Sequence, residues 1–158
     1  MRKFIISLLV QFLVFIFPIL VLAQTVIATV AVENYPFGVA ADPIANLVYV
    51  SNWGSNSVSV VNGLDNTVIG RIPIDTSPEG IGVNPQTNLI YVATGFNFVR
   101  VIDGATRTVA TTIPVQVASN AVAVNPNTNL VYVSSHVTNT VEVIDGFTNT
   151  VVTSIPYQ

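Results

Sequence analysis

The sequence predicts an all-β chain built from β-propeller repeats, and three observations carry that prediction. First, a five-residue stretch returns as Asn46-Leu47-Val48-Tyr49-Val50, Asn88-Leu89-Ile90-Tyr91-Val92 and Asn129-Leu130-Val131-Tyr132-Val133, at spacings of 42 and 41. Second, the punctuation keeps step: Asp42-Pro43, Asn84-Pro85 and Asn125-Pro126 precede these stretches, while Asn62-Gly63, Asp103-Gly104 and Asp145-Gly146 follow them. Third, each unit contains four short β-rich runs separated by turn residues, with no helical periodicity. Four strands in about 40–45 residues is the length of one propeller blade.

Taken in order, residues 1–23 read as a secretory signal peptide: Arg2 and Lys3, an apolar run from Phe4 to Phe17, Pro18, then Val21 and Ala23 before the expected cleavage point. If uncleaved, the same segment is long enough to anchor the chain in a membrane. In both cases the remainder is expected to be exported: secreted, periplasmic or at the cell surface. Residues 24–158 form a partial propeller, with repeats at about 26–67, 68–108 and 109–150 and the start of a further unit at 151–158.

The first repeat supplies a leading strand over Val26–Val32, then Gly38–Ala41, Leu47–Ser51 and Ser57–Val61. Thr67-Val68, Thr108-Val109 and Thr150-Val151 open the outer strands, and a one-residue deletion falls in the turn between Val92 and Val101. The strands nearest the axis carry small residues, as in Val39-Ala40-Ala41, Ile81-Gly82-Val83 and Val122-Ala123-Val124. Inner strands such as Leu47-Val48-Tyr49-Val50 are continuously apolar, as expected for sheets covered on both faces. The Asx-Pro and Asx-Gly pairs suit tight reversals, because proline presets φ and asparagine accepts left-handed backbone.

These units resemble the YVTN-type β-propeller repeats of exported and surface-layer-associated proteins. The eponymous stretch stands here as Tyr49-Val50-Ser51-Asn52, Tyr91-Val92-Ala93-Thr94 and Tyr132-Val133-Ser134-Ser135, with Thr112-Ile113-Pro114 and Ser154-Ile155-Pro156 ending two repeats. The resemblance covers residues 25–158 and implies a propeller fold, which hosts many functions.

Three blades and one strand fall short of the 4–8 blades with which propellers typically close. An apolar blade face would be left at each end, so three outcomes are open. These are self-association of copies, with the leading strand of each completing the final blade of the other; filling of the ring by another propeller-repeat chain; and a sequence that is a fragment of a longer protein.

Composition narrows the function. Beyond Ala23 only Arg71, Arg100 and Arg107 are basic, against eight acids, which argues against nucleic acid. With no cysteine and one histidine, neither a thiolate-ligated metal nor a His-based cluster is available, so no cofactor or metal is expected. No catalytic residue is assigned, and the chain reads as a non-enzymatic binding, protein-interaction or surface-structure module. Its variable rim offers Phe37, Trp53, Glu79, Asn120 and His136 as ligand-binding candidates, for a cell-surface polysaccharide or a protein. The structural alternative is that the aromatics pack across neighbouring loops. Glu33 and Asp75 occupy equivalent loop positions, with Gln116 in the third copy, and read as polar loop sites. A lactonase-like or lyase-like enzyme, using Glu79 and His136, is the alternative drawn from related propellers.

Overall fold

The computed structural model describes residues 25–116 and 118–156. The expected signal segment, 1–23, lies outside them. Twelve strands form three antiparallel four-stranded sheets, each in simple up-and-down order. The first holds β1 (Pro36–Asp42), β2 (Leu47–Asn52), β3 (Ser57–Asn62) and β4 (Thr67–Pro73). The second holds β5 (Ile81–Asn84), β6 (Leu89–Ala93), β7 (Phe98–Asp103) and β8 (Thr108–Pro114). The third holds β9 (Ser119–Asn125), β10 (Leu130–Ser135), β11 (Thr140–Asp145) and β12 (Thr150–Pro156). Innermost strands β1, β5 and β9 lie side by side, and the sheets pack face to face as blades of a propeller-like fold.

The turns carry the expected chemistry. Asn46, Asn88 and Asn129 close the first turn of each blade at φ 53 to 54°, and Asn66 and Asn149 close the third at 60° and 53°. Arg107 takes that left-handed position in the middle blade at φ 57°. The two turns are tied together, since the amides of Gly63, Gly104 and Gly146 donate to the carbonyls of Asn46, Asn88 and Asn129 at 2.8 to 2.9 Å. Each outer ladder also slips register at the same place, between Val60 and Val61, Val101 and Ile102, and Val143 and Ile144.

Two apolar seams join the blades. In the first, Tyr49, Val58 and Ile72 pack against Ile90, Val92 and Ile102; in the second, Tyr91, Val99 and Ile113 pack against Val131, Val133 and Ile144. The expected continuous burial of inner strands holds in the middle blade, where Ile90 to Ala93 are all buried. In β10 burial alternates, because only one of its faces meets a neighbouring blade. Close approach near the axis explains two glycines. A Cβ on Gly38 would lie 2.7 Å from the Glu79 carbonyl oxygen, and one on Gly80 would lie 2.4 Å from that of Asn120. Ala121, one repeat further on, is exposed and tolerates its methyl group.

The leading strand expected over Val26–Val32 does not form: residues 25–32 have no strand pairing. By repeat position this segment is the outer strand of a preceding blade, whose inner strands the described chain does not supply. The outer edge of the third blade, where strand exchange would place it, is already filled by β12. No helix among the described residues is long and apolar enough to cross a membrane.

Candidate ligand-binding rim

Antiparallel order sends the Asx-Pro and Asx-Gly turns to one end of the blades and the variable loops to the other. At the variable end, the segment leading into β1 is pinned to the β2–β3 turn. Trp53 and Gly54 donate their amides to the carbonyls of Tyr35 and Asn34 at 2.9 and 3.2 Å, and the Asn34 amide donates to Ser55 Oγ at 2.9 Å. Tyr35 adopts φ 51°, which aims its ring across Gly54, where a Cβ would lie 2.4 Å from the ring. Its ring meets Trp53 edge-on, with centroids 6.2 Å apart at 89°, the T-shaped arrangement favoured by aromatic quadrupoles.

Tyr35, Pro36, Phe37 and Trp53 together line an open cleft of about 220 Å³. That is below the roughly 300–1,000 Å³ typical of small-molecule pockets and suits a single ring. Trp53 remains 46% exposed despite its contact with Tyr35, so a face is left for a ligand. Both aromatic candidates therefore fall in one cleft, and Tyr35 joins them as a residue the sequence did not single out. Its position immediately before Pro36-Phe37 was the available signal.

The three polar candidates form a hydrogen-bonded chain across two blades. Glu79 sits on the loop into β5, Asn120 on β9 and His136 in the β10–β11 turn. Asn120 Nδ2 donates to Glu79 Oε2 at 2.7 Å, and His136 Nδ1 is hydrogen-bonded to Asn120 Oδ1. Since that oxygen can only accept, Nδ1 carries the proton and a neutral His136 presents Nε2 as an acceptor. The Glu79 backbone is fixed by its own bonds, its amide donating to Ala93 at 2.8 Å and its carbonyl accepting from Ser51 Oγ. Its carboxylate lies over Gly95, which has φ +67° and no room for a side chain. Chemically, the Asn120 amide separates acid from imidazole: it positions both without exchanging protons between them.

The loop carboxylates Glu33 and Asp75 are engaged in scaffolding. Glu33 accepts from Arg71 Nε at 2.8 Å and from the Ser57 hydroxyl, and Asp75 accepts from Arg100 Nε and Nη2 at 3.0 and 2.7 Å. The Ser57 hydroxyl, with the Arg71 guanidinium behind it, holds the Glu33 carboxyl below its usual range against the opposing effect of burial. Gln116, at the third equivalent position, instead donates its backbone N–H to Glu142 Oε2 at 2.7 Å. Among the described residues no group of three or more His, Cys, Asp or Glu side chains is placed to hold a metal ion.

No family model matches this sequence, and no curated protein matches it. Solved structures do, 967 chains in all. One of them, Kuenenia stuttgartiensis hydrazine synthase, has a TM-score of 0.75 at 23% identity, over 85% of this chain and 40% of that one. The chain thus spans less than half of that neighbour's length, and the likeness is one of fold.

Proposed function

We propose that this chain is an exported, non-enzymatic propeller-repeat module of YVTN type that binds a polysaccharide or protein segment at the cell surface. The observation that carries the reading is the asymmetry of the two ends. One end repeats the same Asx turns in every blade, while the other gathers Tyr35, Phe37 and Trp53 into a single open cleft. Exposed aromatic faces suit a ring or proline stacked on Trp53, and the polar row of Glu79, Asn120 and His136 lies at the same end of the blades. Its neighbours would then hydrogen-bond to Glu79, Asn120 and the free Nε2 of His136. Repeat folds commonly place specificity in such a variable rim.

Trp53 is the sole tryptophan and reports on its own cleft. Titration with soluble cell-wall oligosaccharides and with a proline-rich decapeptide is expected to shift its emission in one of the two series. Phe37→Ala is expected to weaken that response by about tenfold, the loss of one well-packed aromatic contact. Unchanged emission in both series would overturn the cleft as the binding site. The lactonase-like alternative requires Glu79 and His136 to act on one substrate, and the Asn120 bridge between them gives that no support.

A further inference from the structure

Two elements form the walls of the aromatic cleft, and one side chain from a third element reaches both. Tyr35 stands on the segment before β1, with Phe37 at the start of that strand, and Trp53 opens the short turn Trp53–Ser55. Arg71, on β4, donates through Nε to both carboxylate oxygens of Glu33 at 2.8 and 2.9 Å, two residues before Tyr35. Through Nη2 it donates to the Ser55 carbonyl at 3.1 Å, two residues after Trp53. A planar guanidinium makes both contacts at once in a fixed fork, which the point charge of a lysine does not reproduce.

The two walls differ in what else secures them. The turn has a further tie, since the Ile74 amide, just past β4, donates to the Asn56 carbonyl at 2.8 Å. The segment lies on the first blade at Val32 and pairs with Asn52 at Pro36. Between those points its side-chain ties to the strands run through Glu33 alone, to Arg71 and to Ser57. Tyr35 itself is 74% exposed, so packing does little to fix it. The bridge is particular to the first blade: Thr112 and Ser154 stand at the position of Arg71 in the other two. In the second blade Asp75 is held from β7 by Arg100, whose remaining bond goes to Thr112 and not to a turn. The blade with the guanidinium bridge is the blade with the aromatic cleft.

We propose that Arg71 is the positioning residue of the cleft, holding Tyr35 edge-on to Trp53 so that the ring-binding face exists before a ligand arrives. Neither Arg71 nor Glu33 lines the cleft, so both act through the residues that do. A site formed only part of the time binds in proportion to that fraction, and fixing Tyr35 in advance raises affinity for this reason. The effect on affinity rests on the rim being the ligand site proposed above; the effect on the Tyr35–Trp53 pair does not.

Arg71→Thr, which takes the second blade's residue, separates the two effects. Without ligand it keeps the far-ultraviolet circular dichroism of the parent, weakens the near-ultraviolet signal of the Tyr35–Trp53 pair and makes Trp53 easier to quench with acrylamide. Arg71→Lys recovers part of both signals. Arg100→Gln, which breaks the pair with Asp75 in the second blade, leaves them at parent values and controls for general loosening. Affinity is read with whichever probe, cell-wall oligosaccharides or the proline-rich decapeptide, moves Trp53 emission in the parent. Arg71→Thr then binds about fivefold more weakly, the upper range for a partly exposed ion pair. In a Tyr35→Ala background the same substitution has no further effect, because the side chain it positions is gone. Parent-like spectra for Arg71→Thr, equal changes in Arg100→Gln, or an undiminished loss of affinity in the Tyr35→Ala background overturn the role of Arg71. If neither probe moves the parent's emission, the ligand reading of the rim falls, and the ligand-free spectra still decide for or against the positioning role.

Discussion

Glu33 accepts a hydrogen bond from Arg71 Nε at 2.8 Å across 38 residues, and this pair fastens the otherwise unpaired segment 25–32 to the first blade. Both side chains are partly exposed, so the pair contributes about 0–1 kcal/mol and leaves global stability almost unchanged. Its local consequence is larger, because little else holds that segment.

The Glu33 carboxyl is held below its unperturbed value of 4.5, chiefly by the Ser57 hydroxyl and then by Arg71. A depressed carboxyl stabilises the native contact above its unfolded value and loses that contribution as pH falls through the folded one. Backbone order over residues 25–35, read by NMR relaxation, should therefore be high at neutral pH and be lost as the pH falls below the unperturbed value of 4.5. Glu33→Gln should show the loosened behaviour already at neutral pH. Equal order in parent and variant at pH 7 would refute the tether.

Ser51 joins the first two blades at their most crowded point. Its Oγ accepts from the Gly38 amide at 2.8 Å and donates to the Glu79 carbonyl, in a fully buried setting. Ser51→Ala leaves both groups without that partner, and the expected loss is about 1–3 kcal/mol. Urea denaturation measures it, and a change under a few tenths of a kcal/mol would show that the bridge is dispensable. The equivalent residue of the second blade is already Ala93, whose amide donates directly to the Gly80 carbonyl at 2.8 Å.

The fate of the sequence reading follows from where each signal comes from. Turns were legible because left-handed backbone selects asparagine and glycine, whatever the surroundings, and Asn46, Asn88 and Asn129 satisfy that need alone. Strand count and order were legible because the repeat multiplies a weak pattern three times. The strand expected at Val26–Val32 failed for the opposite reason: its sequence is that of an outer strand, which pairs with the third strand of a blade, and among the described residues β3, β7 and β11 already pair with β4, β8 and β12. At the rim, loop position identified Phe37, Trp53, Glu79, Asn120 and His136, yet not their grouping. That Asn120 would bridge Glu79 to His136 depends on how closely β5 and β9 approach, which the small residues near the axis set. Tyr35 was hidden because its role comes from a positive φ and from contact with Gly54, neither of which residue type announces.

Tyr49 and Tyr91 are fully buried, and neither hydroxyl has a hydrogen-bond partner. Burial raises both phenols above their usual range, with Asp42 adding to the effect at Tyr49 and Asp145 at Tyr91. An unpaired buried hydroxyl costs about 1–3 kcal/mol. Tyr91→Phe should thus leave thermal stability unchanged or raise it by a few degrees. Tyr132→Phe, at the same repeat position on a half-exposed face, should leave the monomer's stability unchanged. A clear loss of stability in Tyr91→Phe would show that its hydroxyl is bonded after all.

Ile113 and Ile155 occupy one repeat position in β8 and β12, but Ile113 is 1% exposed and Ile155 50%. The difference has a single cause, since the second blade has a neighbour on that side and the third has none among the described residues. Ile113→Ala opens a cavity in the second seam, at an expected cost of about 2–5 kcal/mol. Ile155→Ala removes atoms that still touch water and should cost well under half as much at low protein concentration. Chemical denaturation of both variants over a wide concentration range reads this directly. A large, concentration-independent cost for Ile155→Ala would mean that its side chain supports the third blade from within, and the match to Ile113 would then be one of sequence alone.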